Sequence, residues 1–496
     1  MRKLIEKQLK IGQVDICDIP IDLRCRDEIP QLLLGLQTIY GNEQVRDEVF
    51  SILSEIVPED VDSENGRPGM ELWKILVLGT IRLNCNWDFD KVHDIANNHF
   101  NVRQFLGHTI VDFDQRYGLQ TIKDNLELLT PEVLDRINRV AIEYGHNLVG
   151  YKGLDPLFGR CDSFVVETDV HYPTDINLLW DAIRKVIELT GKLCDGIGIS
   201  EWRQYQHHLR KIKGVFNKAN RLKASNSKDE KKKARRARQI VEAHQAYIDL
   251  VEEYLARVRF TLAAITEMGM ADDVALSMLI EGFMAHADRQ IDQIRRRVIK
   301  DEKIPHAEKV FSLFEEHTEW ISKGKAGVPQ ELGLKVCILE DRFGFILHYH
   351  VMQDQTDDQV AVSMVDAAKG KFPGLNGCSF DKGFHSPENQ RELSQRLDRV
   401  VLPRKGKLSA KDREIEQSEP FVASRRQHAA VESAINALES HGLDRCRDHG
   451  LHGFKRYVAL AVLARNIQKI GALVRQKALK RIKRQQKSES GLRLAA

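Results

Sequence analysis

The sequence predicts an α/β protein whose sheet is interrupted by a long helical insertion and preceded by an all-helical region. Three observations support this prediction. The compact β-branched segment from Phe164 to Val170 has the composition of a buried strand. Residues 177–300 contain no proline and follow a helical pattern almost throughout. After Pro329 the pattern changes to short alternating segments separated by turns, which is typical of paired strands.

The length and charge of the chain constrain its architecture more than its function. At 496 residues it exceeds what one hydrophobic core usually organises, so we expect several domains. The net charge is only +3, and 42% hydrophobic with 30% charged residues is an ordinary globular composition. Eight cysteines without a CxxC pair or zinc-type spacing indicate reduced thiols in a cytosolic protein. The apolar stretches are too short to predict a membrane span or an export signal.

The first 150 residues are predicted to form two regions. Residues 1–65 are mixed in pattern and end in a turn-rich segment at 62–69. Residues 66–150 begin with three short helices between Met70 and Leu106, with Asp88 and Asn101 as N-caps of the second and third. Such helices can form a helix-turn-helix whose last helix presents Arg103 to DNA. They can equally form a simple bundle, which this segment taken alone favours.

Residues 177–304 are predicted to be an inserted helical hairpin or bundle with a polar turn at 224–228. Between Arg203 and Arg238 the insertion holds 14 Lys and Arg residues against two acids. A solvated helical face is the usual meaning of such a run. We predict instead that it contacts DNA phosphates without reading bases, because it offers charge but no interleaved aromatic residues for stacking. The residues predicted to bind phosphates are Lys231, Lys232, Lys233, Arg235 and Arg236.

Residues 151–176 and 305–485 are predicted to form one catalytic domain. We expect a helix at about 307–322 and then a β-hairpin made of 332–339 and 345–352. Helices at about 359–368 and 387–396 alternate with a strand ending at Asp381 and a strand at 399–402. Long helices follow, and residues 486–496 are expected to be a flexible tail. This order is compatible with a ribonuclease-H-like sheet.

Three acidic residues lie far apart in short, unusual contexts: Asp162, Asp381 and Glu432. The first two are expected at strand ends and the third on the helix after the last strand, so the fold would bring them to one edge of the sheet. Carboxylates suit Mg²⁺ or Mn²⁺, and two such ions can activate the attacking oxygen and stabilise the leaving one in phosphodiester cleavage. Each acid taken singly could equally be an ordinary turn, cap or surface residue. The competing acids nearby are Glu167, Asp169, Asp175 and Asp341.

Several short motifs, taken in their order along the chain, resemble a known family. They are Gly66-Arg67-Pro68-Gly69-Met70, Phe105-Leu106-Gly107, Asp162-Ser163 with His171-Tyr172-Pro173-Thr174-Asp175, Asp381-Lys382-Gly383-Phe384, and Val431-Glu432 followed by Gly450-Leu451-His452-Gly453-Phe454-Lys455-Arg456-Tyr457. Their combination resembles bacterial insertion-sequence transposases of the DDE type, close to the ISNCY group. The resemblance implies that Asp162, Asp381 and Glu432 are the metal-binding catalytic residues, and that the protein cleaves DNA and transfers strands.

The sequence departs from related transposases around the Glu. Where these often have Arg four residues before the Glu and Lys seven after it, this chain has His428 and Glu439. The basic side chain near the phosphate would then be Arg425, Arg426 or His428. The first metal ligand is open between Asp162 and Asp169, and the resemblance together with the expected strand start favours Asp162.

The resemblance also implies partners. Double-stranded DNA would be bound as transposon ends and as target, by a homodimer assembled on DNA in the bacterial cytoplasm. A basic helix near the C-terminus would grip phosphates together with the other basic segments. Two rivals stay open. One is a metal-dependent nuclease without strand transfer, and the other is a non-catalytic DNA-binding or scaffold protein that would not need the acids.

Overall fold

The computed structural model describes residues 3–5, 8–57, 69–109, 111–112, 114–267, 274–322 and 330–495, of which 411 and 487–495 are described by their backbone alone. The chain divides into two compact units. We call residues 1–169 and 319–496 the sheet unit and residues 170–318 the helical unit. Most of the predicted boundary at 62–69, with the motif residues Gly66, Arg67 and Pro68, lies outside the described residues, as does Pro329.

The described residues at the start of the sheet unit form seven helices, three of which (the first, third and seventh) pack on the long C-terminal helix. Local sequence sets their ends: the last of them begins at Pro131 after the N-cap Thr130 and stops before Gly150, whose φ of 80° is left-handed. The helices are α1 (Glu28–Gly41), α2 (Glu43–Ser54), α3 (Leu72–Asn84), α4 (Phe89–Asn98), α5 (Phe100–Phe105), α6 (Leu119–Leu126) and α7 (Pro131–Val149). A 3-10 helix, Ile16–Asp18, precedes them.

The C-terminal helix, α17 (Gly450–Ala495), passes through the core of the sheet unit. It packs most extensively on α1 and α7. A Cβ on Gly35 of α1 would overlap the carbonyl oxygen of Ile467, and one on Gly471 would overlap that of Gln31. The two helices therefore approach at backbone distance, which only glycine allows at these positions. Helix α17 is also long and apolar enough to cross a membrane over Gly450–Gln486, but 72% of its most apolar stretch is buried in the fold, as in a core helix.

A mixed sheet of seven strands forms the centre of the sheet unit. The order along it is β2-β3-β1-β5-β6, with β4 paired to β3 and β7 to β1. Strand β1 runs antiparallel to β3 and parallel to β5. The strands are β1 (Leu157–Thr168), β2 (Glu319–Ser322), β3 (Gln330–Asp341), β4 (Ile346–Val351), β5 (Leu375–Phe380), β6 (Arg399–Val401) and β7 (Arg445–Cys446).

Further helices of the sheet unit connect and cover the strands. The first of them packs on β1, β3 and β5, the fourth precedes the predicted Glu432, and the fifth carries it. These helices are α12 (Asp357–Lys371), α13 (Pro387–Arg396), α14 (Ala410–Gln417), α15 (Glu419–His428) and α16 (Ala430–Leu438). Two short turns of helix, Lys382–Phe384 and the π-helical Glu439–Leu443, follow β5 and α16.

The helical unit has a hydrophobic core of its own. Its helices are α8 (Asp175–Gly196), α9 (Tyr205–Arg221), α10 (Glu230–Glu267) and α11 (Val274–Ile294), extended by a π-helical turn at Arg295–Ile299; a 3-10 turn at His306–Glu308 comes later in the unit. Trp202 is fully buried, and its indole N–H donates to Thr261 Oγ1 at 2.9 Å. The predicted polar turn at 224–228 lies between α9 and α10.

Several expected elements differ from the structure. The helix predicted at 307–322 is wrong: the segment holds a short 3-10 turn and then β2, which pairs with β3 from Gly333 to Gln330. Helix α17 continues to Ala495, so residues 486–495 are helical where a flexible tail was expected. Buried residues of 1–65 and 66–150 belong to the same hydrophobic core as the sheet. The segments on the two sides of the predicted boundary at 150 therefore do not have separate cores.

The N-terminal caps also differ in part. Asp88 caps α4 as expected, accepting from the Lys91 N–H at 2.8 Å. The predicted cap Asn101 lies inside α5, and the N-cap of this helix is His99. The Asn101 side chain instead donates to the carbonyl of Pro20.

Candidate active site

Strands β1 and β5 place two of the predicted acids side by side. Cys161 of β1 pairs with Phe380, the last residue of β5. The next residue on β1 is Asp162, and the first residue after β5 is Asp381. Asp162 lies in the middle of β1, not at a strand start as predicted, because pairing with β3 begins already at Gly159. The argument from two strand ends is thus wrong for Asp162, but the parallel register brings the two carboxyl groups together.

The third predicted acid, Glu432, lies in the first turn of α16, which packs on β1. Its charge, like that of Asp381, acts on both Asp162 and His428. Helix α15 ends four residues earlier at His428, whose Nδ1 lies 3.0 Å from Ser379 Oγ on β5. Residues four positions apart in a helix lie on the same side of it. His428, which contacts β5, and Glu432 therefore face the same side of the segment formed by α15 and α16.

Asp381, Glu432 and a fourth acid, Asp357, all act on Asp162. Burial raises the pKa of Asp162 to about 7, and the negative charges of Asp381, Asp357 and Glu432 add to the rise, while the Ser163 N–H opposes it. That N–H donates to Asp162 Oδ1 at 2.8 Å. Like charges gathered in a half-buried position destabilise one another unless a cation offsets them.

The donor set therefore fits a hard divalent cation such as Mg²⁺ or Mn²⁺, which prefers carboxylate oxygens. Asp162 is half-buried, whereas Asp381 and Glu432 are exposed and accessible to substrate. Within the described part of the chain, no group of three or more His, Cys, Asp or Glu side chains is arranged as a ready coordination shell. The acids converge in this structure without adopting a ligand geometry.

His428 differs from its predicted role as a DNA-contacting cation. Burial lowers its pKa, and Arg160 lowers it further, against the opposing effect of Asp381 and Glu432. With its pKa lowered and its Nδ1 beside Ser379 Oγ, His428 is better suited to linking α15 to β5 than to binding a phosphate as a cation. Arg160 itself pairs with Glu340 at 2.9 Å and donates to the Gln427 carbonyl at 3.5 Å, so it too links the end of α15 to the sheet.

The competing acids have other partners. Asp341 is fully buried, and its Oδ2 lies 2.6 Å from His146 Nε2 while its Oδ1 accepts two backbone N–H bonds. Asp169 is exposed after the end of β1 and pairs with Arg445 at 3.4 Å, as does Glu167 at 3.3 Å. Asp175 lies in the helical unit and pairs with Arg297 at 2.9 Å. The position of Asp162 beside Asp381 thus favours Asp162 over these acids as the first metal ligand.

Arg103, predicted to contact DNA, is used inside the fold. Its guanidinium donates to the carbonyl oxygens of Asn97 and Gln115 at 3.2 Å and of Asp112 at 2.5 Å. Helix α5 has only six residues, and Gln104 is 6% exposed. Asn101 and Arg103 of α5 thus support neighbouring segments of the fold, and these contacts favour the simple bundle over a helix-turn-helix for α3 to α5.

The basic run of the helical unit is accessible. Lys231, Lys232, Lys233 and Arg235 are exposed on the first turns of α10, and Lys233 pairs with Glu230 at 2.8 Å. Arg236 is half-buried and donates to the Lys223 carbonyl at 2.9 Å.

Arg425 and Arg426 are exposed on α15, in the turn before Glu432. Sequence reasoning missed Ser379, Arg160 and Asp357, whose roles depend on pairing between strands and leave no local signal.

One comparison with known proteins gave a match. Residues 293–467 match the family model described as "Transposase DDE domain". The matched range contains Asp381 and Glu432, whereas Asp162 precedes it. Searches of curated proteins and of solved structures gave no match. Residues 293–467 are therefore similar to a transposase DDE domain, and this match confirms the resemblance to DDE transposases.

Proposed function

We propose that this protein is a DNA transposase that cleaves the ends of an insertion sequence and joins them to target DNA. The observation that carries the proposal is the convergence of Asp162, Asp381 and Glu432, from two adjacent strands and a helix packed on them. The transposase DDE domain match around two of these residues supports it. The strand order β4-β3-β1-β5-β6, antiparallel up to β1 and parallel after it, supports a ribonuclease-H-like fold.

Asp162, Asp381 and Glu432 would hold Mg²⁺ or Mn²⁺. Bound divalent ions activate an attacking oxygen and stabilise the leaving oxygen of a phosphodiester. The protein's own contribution is to bring the carboxylates together: β1 and β5 fix two of them by register, and the link from His428 to Ser379 fixes the start of the helix that carries the third. Water would be the nucleophile for the first nick, and the freed 3′-hydroxyl would attack the target strand.

DNA would be held by exposed cations. Arg425 and Arg426 lie on the helix that leads to Glu432, and Lys231, Lys232, Lys233 and Arg235 lie on α10. Lys and Arg bound to phosphates supply affinity with little base specificity. We also propose that the protein acts as a homodimer on double-stranded DNA in the bacterial cytoplasm, associated with the nucleoid.

The test is an in vitro reaction with DNA carrying the sequences that flank the gene, a supercoiled target plasmid, and Mg²⁺ or Mn²⁺. We expect nicks at the element ends followed by covalent joining to the plasmid. Nicks without joining would favour a metal-dependent nuclease. Binding without any metal-dependent nick, in a protein that is folded and pure, would favour a DNA-binding or scaffold protein.

A further inference from the structure

We propose that Asp357 is a positioning residue that holds the turn bearing Asp381 against the strand bearing Asp162. Asp357 lies against three other residues, Ser163, Lys335 and Gly383, and we call these four residues the Asp357 junction. The inference rests on the proposed function for its catalytic meaning, but its structural half can be tested separately. The resemblance to DDE transposases does not assign a role to this residue.

The contacts of Asp357 join three elements of the sheet unit. Asp357 is the first residue of α12, where a negative charge is favourable at the helix N-terminus. Its Oδ1 accepts from Ser163 Oγ of β1 at 2.7 Å. Both of its carboxylate oxygens lie 3.2 Å from Lys335 Nζ of β3. The side chains of Lys335 and Asp357 are only 26% and 21% exposed, so water screens the pair incompletely.

The turn after β5 lies directly on the same carboxylate. A Cβ added to Gly383 would lie 3.0 Å from Asp357 Oδ2, which is closer than ordinary van der Waals contact. Glycine at this position therefore lets the backbone of the turn approach Asp357 closely, and a larger residue would push the Asp357 carboxylate away by a few tenths of an ångström. In the same turn the Gly383 N–H donates to Asp381 Oδ2 at 3.5 Å, so a shift of the turn would move the Asp381 carboxylate.

Asp357 lies on the opposite face of the sheet from Asp162 and is not a metal ligand itself. Successive side chains of a strand point to opposite faces, so Ser163 projects away from the face on which Asp162 lies. The carboxylate of Asp357 is already bound by Lys335 and Ser163. It is nevertheless near enough for its charge to act on Asp162. A charged link in this place fixes the spacing of the two ligands, as outer residues do in metal sites.

The first test measures the turn without metal. Hydrogen exchange of the Phe384 and His385 amides, which donate to the Asp381 and Lys382 carbonyls at 3.2 Å, is compared in the wild type, Asp357→Ala and Asp357→Asn. We expect exchange about tenfold faster in both variants, because the turn loses its support. Asp358→Asn changes the next acid on the same helix and is the matched control, expected to exchange at the wild-type rate. Wild-type exchange in the Asp357 variants would overturn the inference.

The second test measures Mn²⁺ binding by electron paramagnetic resonance. We expect Asp357→Ala to weaken Mn²⁺ binding by roughly 10- to 100-fold, the range typical of residues that orient metal ligands. The double variant Asp357→Asn with Lys335→Met should recover part of that loss, because neither partner is then left as an unpaired charge. If the Asp357→Ala variant does not fold, the double variant can be measured in its place.

Two results separate the inference from the proposed function. Saturable Mn²⁺ binding by the wild type that is unchanged in the Asp357 variants would overturn the role of the junction and leave the proposed function standing. A wild type without saturable Mn²⁺ binding would count against the proposed metal site, and the exchange measurement would then decide whether Asp357 holds the turn.

Discussion

The sheet unit and the helical unit concentrate opposite charges in opposite ways. In the sheet unit, Asp162, Asp381 and Glu432 are far apart in sequence and are brought together by strand register and helix packing. In the helical unit, Lys231, Lys232 and Lys233 are neighbours in sequence and remain exposed. Acids assembled by a fold must be placed accurately to serve chemistry, whereas cations on an exposed helix need only be accessible. The first arrangement suits catalysis and the second suits binding to a polyanion.

The largest effect expected from this contrast is on cleavage. Asp381→Asn and Glu432→Gln keep the shape of each side chain but remove a negative ligand. We expect metal-dependent cleavage to fall by roughly a thousandfold or more, beyond the 10- to 100-fold typical of residues that only orient ligands. DNA affinity, measured by fluorescence anisotropy, should stay within about twofold. Glu419→Gln, at the start of α15, is the control, and near wild-type cleavage by either site variant would contradict the assignment.

A comparable effect should separate the two candidates for the first ligand. Asp162→Asn should abolish cleavage, because the carboxyl group lies beside Asp381. Asp169→Asn should retain it, because Asp169 is exposed and paired with Arg445. Cleavage rates of the two variants on the same DNA decide the question. Activity in the Asp162 variant with loss in the Asp169 variant would reverse the choice.

A smaller effect is expected when the basic run is neutralised. Changing Lys232, Lys233, Arg235 and Arg236 to Ala should weaken binding about equally for specific and random DNA. The slope of log affinity against log salt should flatten by about 0.9 for each DNA phosphate that the protein no longer neutralises. Exchanging Lys and Arg at the same four positions keeps the charge and should keep the slope. An unchanged slope in the alanine variant would mean that this surface only faces solvent.

The smallest effect concerns the acid stability of the sheet unit. Burial is the main cause that lowers the pKa of His108 and His441 to about 4 and of His348 to about 3. The unfolded chain would bind these protons near pH 6.5, so stability is retained above that pH and is lost as pH falls toward 4. Each site contributes at most about 1.4 kcal/mol per pH unit. Denaturant unfolding of His348→Gln between pH 7 and 4.5 should show a shallower loss, and a slope equal to the wild type would be the contrary result.

Local signals in the sequence predicted local structure well. Pro387 marks the first residue of α13, and the predicted range 387–396 agrees with the helix found. Asp88 was identified as a cap because capping depends on residues three positions apart. The helix expected at 307–322 failed because Glu319–Ser322 pairs with β3, a tertiary contact that overrides local preference.

The sequence indicated candidate residues for the site but not how the fold arranges them. Motifs indicated Asp381 and Glu432, and the family match includes both. The position of Asp162 within β1 depends on register with two other strands, which a single sequence does not reveal. The roles of His428 and Asp357 likewise depend on Ser379, Ser163 and Lys335, which lie on different elements. A run of charged residues can be recognised in the sequence, whereas a site formed by residues of several strands and helices can be recognised only in the folded structure.

The most direct test of the central claim is to map where a bound metal lies in the folded protein. Fe²⁺ substituted for Mg²⁺, with ascorbate and peroxide, generates hydroxyl radicals that cut the backbone near the ion. We predict three cuts, near 162 in β1, near 381 after β5 and near 432 in α16, all suppressed by excess Mg²⁺ and lost in Asp381→Asn. Cuts confined to other segments, or cuts at these three places that persist in that variant, would contradict a shared metal site.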